Sequence, residues 1–156
     1  MNIITSGILS AILLTSIPFT TEYKAETTVI EEKTIWTEEE LILLAKDYAD
    51  YYNASSEKVI AIMKCEAPWK KNENGRYYDK NDGQSKLKYN EGQIRRNPSW
   101  GNVGDRERSF GIVQIHEPAH PSITREQALN PDFALDFLAY NVSKGKSGMW
   151  TCSGNK

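Results

Sequence analysis

The sequence predicts a mainly helical α+β domain with a polar, loop-rich or short-hairpin lobe set into it, on three observations. Apolar residues recur at helical spacing in three separate stretches. Each stretch opens on a pattern that starts helices. Between the second and third lies Pro68 to Arg108, dense in Asn, Gly, Asp, Lys and Tyr, with the turn pairs Asn74-Gly75 and Asp82-Gly83.

The first helix starts at a capping box, Thr37-Glu38-Glu39-Glu40, with Glu40 placed to reach back to the cap. Leu41, Leu43, Leu44, Ala45, Tyr48 and Tyr52 follow at helical spacing, and the helix should stop near Asn53. Ser55 or Ser56 caps the second helix, whose stripe is Val59, Ile62 and Met63. Glu66, seven positions after Val59, falls on that stripe. A carboxylate at the end of a buried face is unusual, because an unpaired buried charge is costly. Cys65 points aside, toward whatever packs on that flank. A structureless loop as long as Pro68 to Arg108 does not fit a compact domain, so hairpin structure is expected there. Asn130-Pro131 opens a third helix, with Asn130 as cap and Pro131 in the first turn. Phe133, Ala134, Phe137, Leu138 and Asn141 line one face, Gly145 or Gly148 ends the helix, and Trp150 and Cys152 close the domain.

The first 20 residues carry no charged side chain, and Ile3 to Phe19 is largely apolar, interrupted by Ser, Thr, Gly7 and Pro18. A membrane-spanning helix wants about 20 apolar residues. The stretch therefore reads as a secretory signal over residues 1–25, ending at Ala25, with an uncleaved N-terminal membrane anchor or a buried core helix as alternatives. Residues 26–36 are expected to be a linker and residues 37–156 the folded domain. The expected location is extracellular or in the cell envelope. Two cysteines, Cys65 and Cys152, default to one disulfide in an exported chain, and to two buried thiols otherwise.

Nineteen Lys and Arg against 21 acids give a net charge of −2, which lacks the basic footprint of a nucleic-acid binder. A monomer is expected, meeting a membrane only through its N-terminal segment.

Two motifs overlap in Ser109 to His120, "SFGIVQIHEPAH". His116-Glu117-Pro118-Ala119-His120 spells H-E-x-x-H, which binds zinc when a helix puts both histidines on one face. Pro118 breaks that helix and pushes Glu117 out of helical space. A third ligand is also required, His116 and His120 are the only histidines, and nothing marks a carboxylate such as Glu126. No metal and no cofactor is expected, with a zinc peptidase using His116 and His120 as the remote alternative.

The other motif is the aromatic-Gly-Ile-x-Gln-Ile string. "VIAIMKCE" (Val59 to Glu66) and "SFGIVQIH" (Ser109 to His116), followed by "NPDFALDFLAYN" and "WTC", resemble the lysozyme-like superfamily. The likeness is to bacterial lytic transglycosylases and goose-type lysozymes in particular. It runs from about Glu38 to Cys152, in the order and spacing of motifs. The resemblance implies a lysozyme-like fold and cleavage of the β-1,4 MurNAc–GlcNAc bond of peptidoglycan, with Glu66 as the catalytic acid. The chemistry agrees, since the leaving oxygen needs an acid that burial keeps protonated at neutral pH. The simpler alternative is a helix-end glutamate in solvent or paired with Lys64 or Lys70.

Chicken-type lysozymes carry an aspartate immediately before the aromatic-Gly-Ile-x-Gln-Ile string, where this chain has Ser109. That favours a lytic transglycosylase, in which one glutamate acts as acid and then as base toward the sugar's own 6-hydroxyl. A hydrolase remains open if Asp105 or Glu107 supplies a second carboxylate, as does an inactive peptidoglycan-binding module. The resemblance implies sugar contacts at Ser109, Phe110, Gly111, Gln114, Ile115, His116 and Tyr140. For Gln114 the alternative is a buried turn in which it satisfies main-chain groups; for Phe110, Trp69, Trp100, Tyr89 and Tyr140 it is core packing. The chain departs from transglycosylases in following Glu66 with Ala67-Pro68 rather than Ser, in a longer gap to Gly111, and in placing the Tyr-Asn of "AYN" mid-helix. In this picture a Cys65–Cys152 bridge would pin the Glu66 helix to the tail.

Overall fold

The computed structural model describes residues 33–153, so the expected signal or anchor lies outside the described residues. The described part is α+β, with helices packed together and two small antiparallel sheets. None of its helices is long and apolar enough to cross a membrane.

The cap signals place the three main helices. Helix α1 (Glu38–Tyr51) starts at the capping box: Thr37 Oγ1 accepts from Glu40 N at 3.2 Å, and Glu40 Oε2 from Thr37 N at 2.9 Å. Ser55 caps α2 (Ser56–Glu66) by accepting from Lys58 N. Asn130 caps α5 (Pro131–Ser143), and Gly145, at φ +71°, turns the chain away beyond its end. Leu41, Ala45 and Ala49 of α1 bury against Val59, Ile62 and Met63 of α2 and Ala134, Leu135, Leu138 and Ala139 of α5. The buried face of α5 is rotated from the expected one. Leu135 and Ala139 go inside, while Phe133 and Phe137 are half-buried and stack on each other at 6.5 Å.

The polar stretch holds the expected hairpin, β2 (Lys70–Asn72) with β3 (Gly75–Asp79), turning at Glu73-Asn74. Strand β1 (Ile35–Thr37) pairs with the other side of β3, Trp36 opposite Tyr78. Ile35 and Trp36 therefore belong to the sheet and not to a linker. Two helices were not expected, α3 (Glu91–Arg96) and α4 (Arg125–Leu129). Each is short and opens on its own capping box, Asn90 with Gln93 and Thr124 with Gln127.

Strands β4 (Ser109–Phe110) and β5 (Ile115–His116) form a second small sheet around a tight turn. Gly111 in that turn has φ +84°, and a Cβ there would run into the carbonyl oxygen of Ala128. The string therefore needs glycine for both conformation and space. The tail returns to α2, where Cys152 bonds Cys65 in a disulfide that links residues 87 apart. Trp150 docks first, its indole N–H donating to Val113 O at 2.8 Å.

Candidate active site

Glu66 is the last residue of α2 because Pro68 forces Ala67 out of helical space, to φ −60° and ψ 135°. The Ala67-Pro68 pair thus stops the helix at the carboxylate. Glu66 is half-buried at the edge of an open cleft of about 1120 Å³. Its Oε1 accepts from the backbone N–H of Cys152 at 3.0 Å. Burial pushes the Glu66 carboxyl above its ordinary value. The Cys152 N–H works against that, the charge of Glu107 adds to it and the Thr151 N–H subtracts, with the net direction upward. Neither lysine proposed as a partner reaches it. Lys64 pairs with Glu38 at 3.2 Å, and Lys70 with Asp79 at 3.0 Å and Asp82 at 3.3 Å.

The cleft also collects Ser109, Gln114, Ile115 and His116. Ser109 Oγ lies 3.1 Å from His116 Nδ1, across the β4–β5 pair. His116 packs edge-on against Trp100 at 4.3 Å, and its Nε2 is buried without a hydrogen-bond partner. Burial pushes this imidazole's pKa down, so it is neutral at neutral pH. Gln114 sits at φ +52°, and its amide donates to Gly111 O at 2.7 Å and Gly83 O at 3.1 Å. It borders the cleft, but its N–H groups hold the turn, as the main-chain alternative had it.

Three expected contacts are not brought to the cleft. Phe110 is in the core, with the Arg125 guanidinium 4.4 Å from its ring centre. Gly111 is sealed against Ala128. Tyr140 lies on the outer side of α5, 45% exposed, and packs edge-on against Tyr52. It sits about 200° around the helix from the buried Leu138.

Trp69 and Trp100, for which sugar stacking and core packing were the two options, line the cleft, and Trp69 also packs against the core. Trp69 is held by its indole N–H to Lys64 O at 3.0 Å and by Arg76, 4.8 Å over its ring. Of the two candidate second carboxylates, Glu107 lines the cleft, whereas Asp105 Oδ2 closes a local turn by accepting from Asn102 N at 2.8 Å. Gln93, which sequence reasoning missed, donates to Glu107 Oε1 at 2.7 Å.

The H-E-x-x-H segment is not an α-helix. His116 ends a strand, Glu117–Ala119 is one 3₁₀ turn, and Pro118 lies inside it. Glu117 is engaged by Arg108 at 2.8 Å, and His120 packs on Phe137 at 5.2 Å. Among the described residues no group of three His, Cys, Asp or Glu side chains is placed to hold a metal ion.

The site is therefore a cleft with a half-buried carboxyl of raised pKa, a second carboxylate, two lysines, Lys86 and Lys88, and the indoles of Trp69, Trp100 and Trp150. A carboxyl of raised pKa can act as a general acid toward a group bound in the cleft. Comparisons with protein families, curated proteins and solved structures found no match for this chain.

Proposed function

We propose that this protein is a lysozyme-like enzyme that cuts the glycan strands of peptidoglycan at the β-1,4 MurNAc–GlcNAc bond, by the lytic transglycosylase route. The observation that carries the reading is Glu66: a half-buried carboxyl, its pKa raised by burial, at the edge of a wide open cleft. Glu66 gives its proton to the glycosidic oxygen as the C1–O bond breaks, then takes the proton of the sugar's 6-hydroxyl as that oxygen closes on C1. The product is a 1,6-anhydro end. Trp69 and Trp100 offer faces on which sugar rings stack. The substrate lies outside the cytoplasm, which agrees with a disulfide and with an exported chain.

Hydrolysis is the second reading, and the place of Glu107 in the cleft favours it. Mass spectrometry of muropeptides released from purified sacculi separates the two. The transglycosylase reading expects 1,6-anhydro-MurNAc ends with the wild type and none with Glu66→Gln. Reducing ends would establish the hydrolase. Sacculus binding without products from either protein would leave a peptidoglycan-binding module.

A further inference from the structure

One wall of the cleft is a two-stranded ribbon in which residues 83–89 run antiparallel to 104–111. Ser85 N donates to Ser109 O at 2.8 Å, Glu107 N to Leu87 O at 2.9 Å, and Tyr89 N to Asp105 O at 2.9 Å. The bridges Gln84–Phe110 and Lys88–Arg106 keep the same register, which puts Lys86 opposite Arg108. Residues directly opposite, and alternate residues along a strand, share a face. Lys86, Lys88, Arg106 and Arg108 therefore make one cationic face, although like charges set opposite each other destabilise a ribbon.

Two of the four cations are answered from within the chain. Arg108 pairs with Glu117 at 2.8 Å, and Arg106 donates to the carbonyls of Gln84 and Ser85. Lys86 and Lys88 are exposed, line the cleft, and have no carboxylate partner among the described residues. The acids of the same ribbon are committed elsewhere. Glu107 turns to the other face and accepts from Gln93 at 2.7 Å, and Asp105 accepts from Asn102. A chain of net charge −2 thus leaves two lysines unanswered at its cleft. Such a pair attracts an anion that arrives with the ligand.

We propose that Lys86 and Lys88 determine specificity by binding carboxylates of the stem peptides that the glycan carries. This rests on the reading of the cleft as a site for peptidoglycan. Within a stem-bearing strand the lactyl carboxyl of MurNAc is joined to its peptide as an amide, so the sugar chain itself is neutral. The negative charge stands away from the sugars, on the free carboxylates of the stem. The cleft has the same division. The indoles of Trp69 and Trp100 are there for the neutral rings, and two ammonium groups on the exposed ribbon are there for the peptide. Lysine is a compact point charge on a flexible stem, which suits carboxylates that move with a peptide. Alternate residues of a strand lie about 6.7 Å apart, which lets the pair engage two carboxylates at once.

The test uses soluble, uncrosslinked glycan strands, with their stems and after an amidase has removed them, and reads apparent kcat and KM at several salt concentrations. The proteins are wild type, Glu66→Gln, Lys86→Gln with Lys88→Gln, Lys86→Arg with Lys88→Arg, and a control, Lys71→Gln with Lys146→Gln. The control removes two exposed charges that lie outside the cleft. On stem-bearing strands the cleft Gln pair should raise KM about five- to tenfold with kcat little changed. The Arg pair should restore it. Salt should raise the wild-type KM on stem-bearing strands and leave the Gln pair unmoved. That salt dependence, absent on stem-free strands, carries the test if the Gln pair does not fold. Wild-type KM in the Gln pair on stem-bearing strands would overturn this inference alone. So would an equal rise on stem-free strands, because the lysines would then hold the lactyl carboxylate bared there. An equal rise in the control would overturn it too, by making overall charge the cause. Absence of release by the wild type, or full release by Glu66→Gln, would overturn the reading of the site and this inference with it.

Discussion

Replacing both cysteines by serine, Cys65→Ser with Cys152→Ser, perturbs stability and the site together. The bridge closes a loop across 87 positions. In the chain-entropy account, freeing a loop of that size from the denatured state costs about 4.5 kcal/mol of stability at 25 °C. That is a large share of the 5–15 kcal/mol typical of a whole domain. The tail does not detach completely, because Trp150 stays docked on Val113 O. Order is lost just beyond it, at Cys152, whose N–H holds Glu66 Oε1. One such hydrogen bond is worth about 1–1.5 kcal/mol, or roughly tenfold in rate. Guanidinium unfolding followed by circular dichroism should give a midpoint shift equivalent to about 3–4.5 kcal/mol. Muropeptide release, measured at a temperature where the variant is folded, should fall about tenfold. A stability loss under about 1 kcal/mol would refute the loop-closure reasoning. Unchanged release by the folded variant would refute the claim that the tail positions Glu66.

Three further outcomes follow from the same structure. Gly111→Ala puts a Cβ into the Ala128 carbonyl at a left-handed backbone position, and thermal unfolding should register a loss of at least about 3 kcal/mol. Arg76 bonds Glu38 through both its Nε and a terminal nitrogen, and together with Lys64 holds that carboxyl near a pKa of about 2. The depressed value means the stabilisation is present above the ordinary carboxylate pKa and is lost as pH falls from about 4.5 through about 2. Discounted for exposure, Arg76→Ala should cost about 1 kcal/mol at pH 7, and a cost that did not shrink by pH 2 would contradict this origin. Glu66 works in the other direction. Its raised pKa means the folded state holds the proton more tightly than the unfolded state, so its contribution to stability is present below about 4.5 and falls as pH rises from there through the raised value. Glu66→Gln should therefore melt higher than wild type at pH 7 and equal to it near pH 3; a lower melting point at pH 7 would count against a buried carboxyl.

The main helices were legible in the sequence because local rules coincide there. Thr37, Ser55 and Asn130 are cap residues at the head of apolar stripes long enough to show a period. Strand β1 and helices α3 and α4 were not legible. They are 3, 6 and 5 residues long, too short to show a period, and β1 is fixed by pairing with a strand far along the chain. Glu66 could be found because it breaks the rule of its own stripe. Glu107 could only be named as one of two alternatives, because what separates it from Asp105 is tertiary: Glu107 lines the cleft and accepts from Gln93, while Asp105 closes a local turn on Asn102. Tyr140 was misplaced by matching letters without asking which face of α5 they occupy, a face decided by the packing of Leu135, Leu138 and Ala139.

The central claim is that burial raises the pKa of Glu66 above that of an ordinary carboxyl. Carbon-13 NMR titration of the glutamate side-chain carboxyls, with Glu66 assigned by its absence in Glu66→Gln, measures this directly. The account predicts a midpoint for Glu66 clearly above the ordinary 4.5. A midpoint at or below 4.5 would mean that Glu66 is ionised at neutral pH like any surface glutamate, and it would contradict the acid role on which the proposed reaction depends.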